Sequence, residues 1–425
     1  KYSSKNLTSL FTAISSPPRF LYLVCMIKIF FITYIKLIHL LIFCEEKQVN
    51  IKDVKIIYFF TFDYSLQVWK DSGNLDRELE YFEFLNRKYN HTFIFITYGD
   101  ISDYKIIDNC EYIEVVPIYA LIKKSKSKFM RYVQSFKIPF VLKNKIKNFD
   151  IIKQNQLLGS WVSIVFKIIT KKPIVTRTGY DMFLFSVYEK KSIFIRVLYY
   201  LLTQFTLIFS NIYTVSSSVD KHFIQKNYFA TQNKVELIPN WIKIEENKPL
   251  KSRSQNKILS IGRLEHQKNL SYLISSFENT NYEIDLYGVG SLQTELKELA
   301  KEKRVKVNFL GVLPFSELKK VYNDYKFFIS TSYFEGNPKT ILEAMSRGCI
   351  VVASNIKNNQ EVIDDSINGI LFDFNGNLES IINELNKDKN ITEIISQNAV
   401  NKVIKNNGIE NVCELEVNTM KKILF

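Results

Sequence analysis

Glycine is scarce in this 425-residue chain, at 13 residues, so each one is more informative than usual about a turn the backbone needs. Cysteine is thin as well. Cys25, Cys44, Cys110, Cys349 and Cys413 are scattered and show no paired spacing that would ligate zinc. Cys349 opens an apolar strand and reads as core, so the expectation is a reducing compartment with no disulfides and no zinc. Histidine is limited to His39, His91, His222 and His266. No zinc-finger, recognition-helix or RNA-binding signature is present. That absence bears on the formal net charge of +14. A Lys-rich balance can reflect an AT-rich coding sequence, but among partners it leaves nucleic acid the weaker choice. An anionic membrane surface or an anionic substrate is the stronger one.

Apolar residues are not lacking. At 46% hydrophobic and 14% aromatic the chain is globular, and its length exceeds one core and fits two domains. The reading is an apolar extension or membrane-associated segment over 1–50, a first domain over 51–245, a linker over 246–256 and a second domain over 257–410. A final helical segment, 411–425, is placed to pack back on the first domain. Within the extension, residues 20–43 form an apolar run near the length of a membrane span, but it carries Lys28, Lys36 and His39, each expensive at a bilayer centre. No small-residue cleavage site follows it, which argues against a signal peptide. Three readings remain: a membrane-lying or marginally spanning anchor, an extension from upstream of Met26, and a docked structural helix.

The chain is organised around Phe327 to Gly369. Phe327-Phe328-Ile329-Ser330-Thr331 reads as a buried strand, Glu335-Gly336 as a turn, and Asn337-Pro338 as a helix start: a capping side chain, then proline at the first helical position. Ile341, Leu342 and Met345 recur at helical spacing, and Gly348 ends the helix before a second apolar strand. In a strand–loop–helix–strand unit the helix N-terminus presents N–H groups and a positive dipole end to a phosphate. Glu335 precedes that N-terminus and Glu343 lies inside the helix. A carboxylate among apolar neighbours is costly unless something binds it, and sugar or ribose hydroxyls are suitable donors.

Glu335 and Glu343, with Gly336 and Pro338 between them, resemble the signature of the retaining GT-B nucleotide-sugar glycosyltransferases of the family-four type. The resemblance continues through Asn358-Asn359-Gln360-Glu361-Val362-Ile363 and Asn368-Gly369-Ile370-Leu371-Phe372. It implies an α/β GT-B fold, two Rossmann-like parallel-sheet domains facing a cleft, with the donor on the second and the acceptor on the first. Six strand–helix alternations between Lys257 and Phe372 argue independently for one doubly wound domain.

A buried strand from Lys257 delivers Gly262, and Arg263 and Lys268 follow; such a pair can straddle a diphosphate, Arg through its fork and Lys as a point charge. Beside the glutamate motif, this strand–Gly-Arg…Lys-Asn pattern also resembles the family's. Gly288 and Gly290, at the end of the next strand, allow a nucleotide to approach the backbone. By resemblance Val312 frames the base, and the loop holding Gly73 lines the acceptor side, although an ordinary strand–helix connection would read the same way. Arg177, Tyr180 and Asp181 follow a short buried strand and point into the cleft if the sheet is parallel. Many relatives place a histidine there and this chain does not.

The implied activity is that of a retaining hexosyltransferase using a UDP- or GDP-linked sugar, with no cofactor and no metal. Arg263, Lys268 and the helix start at Asn337, Pro338, Lys339 and Thr340 would meet the charge developing on the leaving diphosphate. Glu343 would accept hydrogen bonds from ribose hydroxyls, Glu335 would hold and orient the sugar, and Glu361 would assist. The acceptor would be a glycan or a lipid-linked one, in bacterial surface polysaccharide assembly, with the protein cytoplasmic and peripheral on the inner face of the membrane. A basic stretch from Lys123 to Lys147, interleaved with Phe129, Met130, Val133, Phe136 and Phe140, suits an anionic membrane face, or else is a solvated helix face. Ser192 to Phe209 reads as a buried domain helix. Two other readings are a nucleotide-sugar epimerase of the same fold and a non-catalytic sugar-nucleotide-binding scaffold. Against the first, no histidine reads as an acid–base catalyst, His266 between Arg263 and Lys268 reading as a surface residue; against the second, Arg263, Lys268 and both glutamates are present.

Overall fold

Lys55–Phe59 (β1), Thr92–Thr97 (β2), Ile113–Pro117 (β3), Ile151–Asn155 (β4), Ile174–Thr178 (β5), Ile212–Val215 (β6) and Val235–Leu237 (β7) are joined in one sheet, in the order β3-β2-β1-β4-β5-β6-β7. Every pairing in it is parallel. Helices cover both faces of such a sheet, so β1 and β2 are nearly continuous apolar runs, while β4 and β5 turn polar toward their carboxyl ends through Lys153, Gln154, Arg177 and Thr178. In the computed structural model, which describes residues 53–231 and 233–424, β1 is buried from Ile56 to Phe59. The apolar run over 20–43, with Cys25, Cys44 and His39, lies outside the described residues.

A second parallel sheet takes Ser254–Ile261 (β8), Glu283–Tyr287 (β9), Lys306–Gly311 (β10), Tyr325–Ser330 (β11), Ile350–Ser354 (β12) and Ile370–Phe372 (β13), in the order β10-β9-β8-β11-β12-β13. Each strand order reverses beside the sheet's first strand, between β1 and β4 and between β8 and β11. These are the switch points at whose carboxyl ends ligands collect in doubly wound folds. Both sheets belong to one compact unit.

The chain crosses between the sheets twice, side by side. Ile242 N–H donates to Asn407 O at 2.7 Å, and Ile409 N–H donates to Ile242 O at 3.0 Å. After the second crossing, helix Ile409–Leu424 buries Cys413, Val417 and Met420 in the core of the first sheet. Its Glu416 carboxylate pairs with the Lys153 ammonium of β4 and accepts from the Tyr81 hydroxyl.

Three elements differ from the sequence reading. The polar segment read as a linker is tied down and shorter: β8 starts at Ser254, and Arg253 is buried, donating to the carbonyls of Lys248 (3.0 Å) and Arg347 (2.7 Å). Asn337 does not cap the central helix. That helix runs Lys339–Ser346 with Pro338 at the cap, because the Asn337 side chain accepts instead from Asn240 N–H at 3.4 Å. Helix Ile193–Phe209 is not buried along its length: only its second half packs beneath the sheet, through Thr203, Gln204, Thr206 and Leu207, while Ile193, Phe194 and Leu198 stand exposed.

His91, just before β2, is a core residue stacked on Tyr89 with centroids 5.6 Å apart, and neither ring nitrogen has a hydrogen-bond partner among the described residues. Burial pushes its pKa down to about 4. A base depressed in the fold contributes stability that is complete above its unfolded value near 6.5 and lost as pH falls toward 4, about 3 kcal/mol in all. His91→Phe is therefore expected to flatten the decline in melting temperature between pH 7 and pH 4.5 relative to the parent chain. Parallel declines would show that His91 is not the group responsible.

Candidate active site

At the carboxyl ends of both sheets lies a cavity of about 610 Å³ whose lining comes from both. From the second domain it is lined by Gly262, Arg263, Gln267, Lys268, Glu335, Gly336, Asn337 and Lys339. Here the sequence-predicted groups converge into one hydrogen-bonded chain. Lys268 Nζ lies 2.5 Å from Glu335 Oε1, and Ser332 Oγ donates to the same oxygen at 2.5 Å. Gln267 Nε2 donates to Phe334 O at 2.8 Å and reaches Glu335 Oε2 at 3.4 Å, while Arg263 Nη2 donates to Gln267 Oε1 at 3.1 Å. β8 delivers Gly262 and the two cations, and β11 delivers Ser332 and Glu335, so adjacent strands at the switch point build the cluster. The N-terminus of helix Lys339–Ser346 opens beside it, a dipole end suited to an anion. Fixed cations, amide donors and an oriented carboxylate together can hold a phosphate next to a polyhydroxylated ring.

Other predicted residues are used differently. Gly288 and Gly290 do not line the cavity. A Cβ on Gly288 would stand 1.9 Å from Gly262 O, and one on Gly290 2.3 Å from Leu264 O, so these glycines let two loop backbones touch each other rather than a ligand. Pro338, Thr340 and the exposed Val312 also lie off the cavity wall. Glu343 is buried and turned to Tyr322 Oη at 2.8 Å and Arg77 Nη1 at 3.4 Å. Glu361 accepts from the backbone N–H groups of Ser218 (2.9 Å) and Val219 (2.6 Å), capping a first-domain helix outside the cavity.

On the first-domain side Arg177, Gly179 and Tyr180 line the cavity, as do Ser72, Asn74, Arg77 and Glu78. Arg177 donates to Ile238 O at 3.0 Å and Asn240 Oδ1 at 3.2 Å, and Tyr180 stacks on Phe185 at 4.0 Å. Asp181 faces away: it caps helix Met182–Tyr188, accepts from Tyr228 Oη at 3.0 Å, and burial raises its pKa to about 7. Gly73 takes φ +72° and contacts the second domain, a Cβ there falling 2.6 Å from Leu313 O. None of His91, His222 and His266 lines the cavity. Nor, among the described residues, do three His, Cys, Asp or Glu side chains gather as a metal would require.

Sequence reasoning missed Gln267, Asn240, Arg77, Glu78 and the cavity-lining pair Lys153 and Glu416. Gln267, between the two predicted cations, was within reach of the motif. Glu416 had no local signal at all.

Outside the cavity, the basic stretch forms two short helices, Lys128–Ser135 and Ile138–Lys145. Phe129 is 71% exposed, Phe136 59% and Phe140 57%, among exposed lysines. The first of these helices approaches the exposed half of Ile193–Phe209: Tyr132 is raised in pKa by burial and then by Tyr199 nearby. No helix of the described residues is long and apolar enough to cross a membrane.

Residues 242–402 match the family described as glycosyl transferases group 1. The UDP-Gal:alpha-D-GlcNAc-diphosphoundecaprenol alpha-1,3-galactosyltransferase of Escherichia coli is 28% identical over 207 residues, 44% of this chain and 53% of that protein. The capsular polysaccharide biosynthesis glycosyltransferase CapH of Staphylococcus aureus is 30% identical over 159 residues, 35% of this chain and 43% of that protein. The matched stretches span about half the length of the curated relatives. The structure of Anabaena HepE in complex with UDP and glucose superposes with a TM-score of 0.67 at 17% identity, over 87% of this chain and all of that one. Two parallel-sheet domains with a cavity at their carboxyl ends give the chain the GT-B fold, and its residues 242–402 are similar to the glycosyl transferases group 1.

Proposed function

We propose that this protein transfers a hexosyl group, with retention of configuration, from a UDP- or GDP-linked sugar to a glycan or lipid-linked acceptor in bacterial surface polysaccharide assembly. The observation that carries the reading is the convergence of Arg263, Lys268, Glu335 and the start of helix Lys339–Ser346 on one cavity shared by both domains. Lys268 and Arg263 take the diphosphate's charge as the sugar–phosphate bond breaks, with the helix dipole behind them. Glu335, held by Lys268, Ser332 and Gln267, orients the sugar hydroxyls, and Glu343 accepts from the ribose. Arg177 and Tyr180 face the acceptor. The test is the melting temperature of the protein with nucleoside diphosphates and nucleotide-sugars: a rise with one base's ligands supports a donor site, and no rise with any of them sinks it.

The acceptor reading extends to the membrane. The E. coli relative is named for a lipid diphosphate acceptor, and this chain carries exposed phenylalanines among lysines on its first domain. We place that face against the anionic inner leaflet of the cytoplasmic membrane. Sedimentation with vesicles should then show binding to anionic lipid that weakens with salt. Lys126→Ser/Lys128→Ser is expected to weaken it by roughly tenfold or more, at about 1 kcal/mol per cation. Equal binding to zwitterionic vesicles, or none to anionic ones, would refute this placement.

A further inference from the structure

The first turn of helix Leu75–Tyr89 is engaged on the part of the second domain that the donor reading assigns to the nucleoside. Phe315 N–H donates to Gly73 O at 3.1 Å, and Ser316 Oγ donates to Asp76 Oδ2 at 3.0 Å. The Arg77 guanidinium lies over the Phe315 ring, 5.8 Å from its centroid, and reaches Glu343 Oε1 at 3.4 Å. The other Glu343 oxygen accepts from Tyr322 Oη at 2.8 Å, and the residue is only 7% exposed. Both oxygens of the carboxylate that would receive the ribose hydroxyls are thus already engaged, one of them by the other domain.

A guanidinium N–H and a ribose hydroxyl compete for the same carboxylate lone pairs, and the charged donor makes the stronger bond. Arg77 also has a second acceptor on its own helix. Its Nη2 donates to Glu78 Oε1 at 3.0 Å, so leaving Glu343 does not strand a buried cation. We propose that Arg77 sets the protein's affinity for its donor: in the unliganded protein it takes the nucleotide's place on Glu343, and the donor displaces it toward Glu78. Because Arg77 belongs to the first domain and Glu343 to the second, donor entry is coupled to release of the contact between them. A contact that only the unliganded state makes lowers apparent affinity by the factor with which it favours that state.

The inference rests on the reading of Glu343 as the ribose acceptor, and the experiment separates the two. Calorimetric titration of the full chain with UDP and with GDP is compared for the parent protein, Arg77→Gln, Arg77→Lys and Glu343→Gln. For whichever nucleotide the parent binds, Arg77→Gln should bind at least about fivefold tighter, the lower end of ordinary coupling factors. Arg77→Lys, a folded control that keeps the cation, should fall between, and Glu343→Gln should bind more weakly. With the donor sugar, Arg77→Gln should lower KM. If the parent binds a nucleotide and both Arg77 variants bind it equally or more weakly, Arg77 is no competitor and the proposal fails while the donor site stands. If no nucleotide binds any of these proteins, the donor reading fails and the proposal with it.

Discussion

Arg263→Ala/Lys268→Ala is expected to lower kcat/KM by about three orders of magnitude and to erase the nucleotide-induced rise in melting temperature. Charge developing on a leaving diphosphate must be met by groups already in place, and removing a single such donor typically costs 10²- to 10³-fold. The two losses are not additive, because Arg263 and Lys268 meet through Gln267 and Glu335 in one hydrogen-bonded chain. A ligand at about a hundred times its Kd adds about 2.7 kcal/mol to the stability of the parent protein, so its disappearance is easily read in a melt. The fold should survive, since Glu335 keeps Ser332 and Gln267 as donors. A nucleotide shift that persists in the double variant would move the diphosphate away from these cations and undo the assigned mechanism.

Glu416→Ala is expected to be the most damaging single change to stability, at about 3–5 kcal/mol. Glu416 and Lys153 have side chains 4% and 6% exposed, and the ammonium stands over the rings of Tyr81 at 5.2 Å and Tyr58 at 5.6 Å. Burial alone would raise the Glu416 carboxyl, but the Lys153 charge and the hydrogen bonds from Lys153 and Tyr81 hold it below its ordinary value. Removing the carboxylate leaves a desolvated cation with only aromatic faces for company, which two rings do not offset. The melting temperature should drop by roughly 10 °C. Lys153→Met/Glu416→Leu should recover most of the loss, because removing both charges removes the desolvation cost as well. If Glu416→Ala melts like the parent, the pair is not what fastens helix Ile409–Leu424 to the first sheet.

The residues behind these two expected results differ in how local their sequence signals are. Arg263 and Lys268 are separated by four residues in one loop, and Glu335 and Glu343 share one turn and helix, so their spacing could be read directly. Lys153 and Glu416 lie 263 positions apart, and Arg77 and Glu343 lie 266 apart; no periodicity or capping preference reaches so far. Glu361 was misassigned for the same reason. It lies near the end of the short helix Lys357–Val362, and the helix it caps, Ser218–Asn227, comes from the other domain. The apolar length of Ile193–Phe209 suggested burial because composition measures hydrophobicity and not the extent of the sheet beneath it. Asp181 follows a strand and faces away because its carboxylate was taken by the next helix as a cap.

By itself the sequence determined the fold class and the donor-side motif. Apolar strand runs alternating with helical segments, clearest between Lys257 and Phe372, point to a doubly wound parallel sheet, and the Gly-Arg…Lys pattern and the Glu335–Glu343 motif are each legible within a few residues. Only the tertiary structure decided which carboxylates face the cavity and which are spent on the other domain, because that choice depends on ion pairs and close backbone approaches between segments hundreds of residues apart. The contact of Arg77 with Glu343, the seating of Glu416 under the first sheet and the abutting loops of Gly73 and Leu313 exist only once the two domains meet.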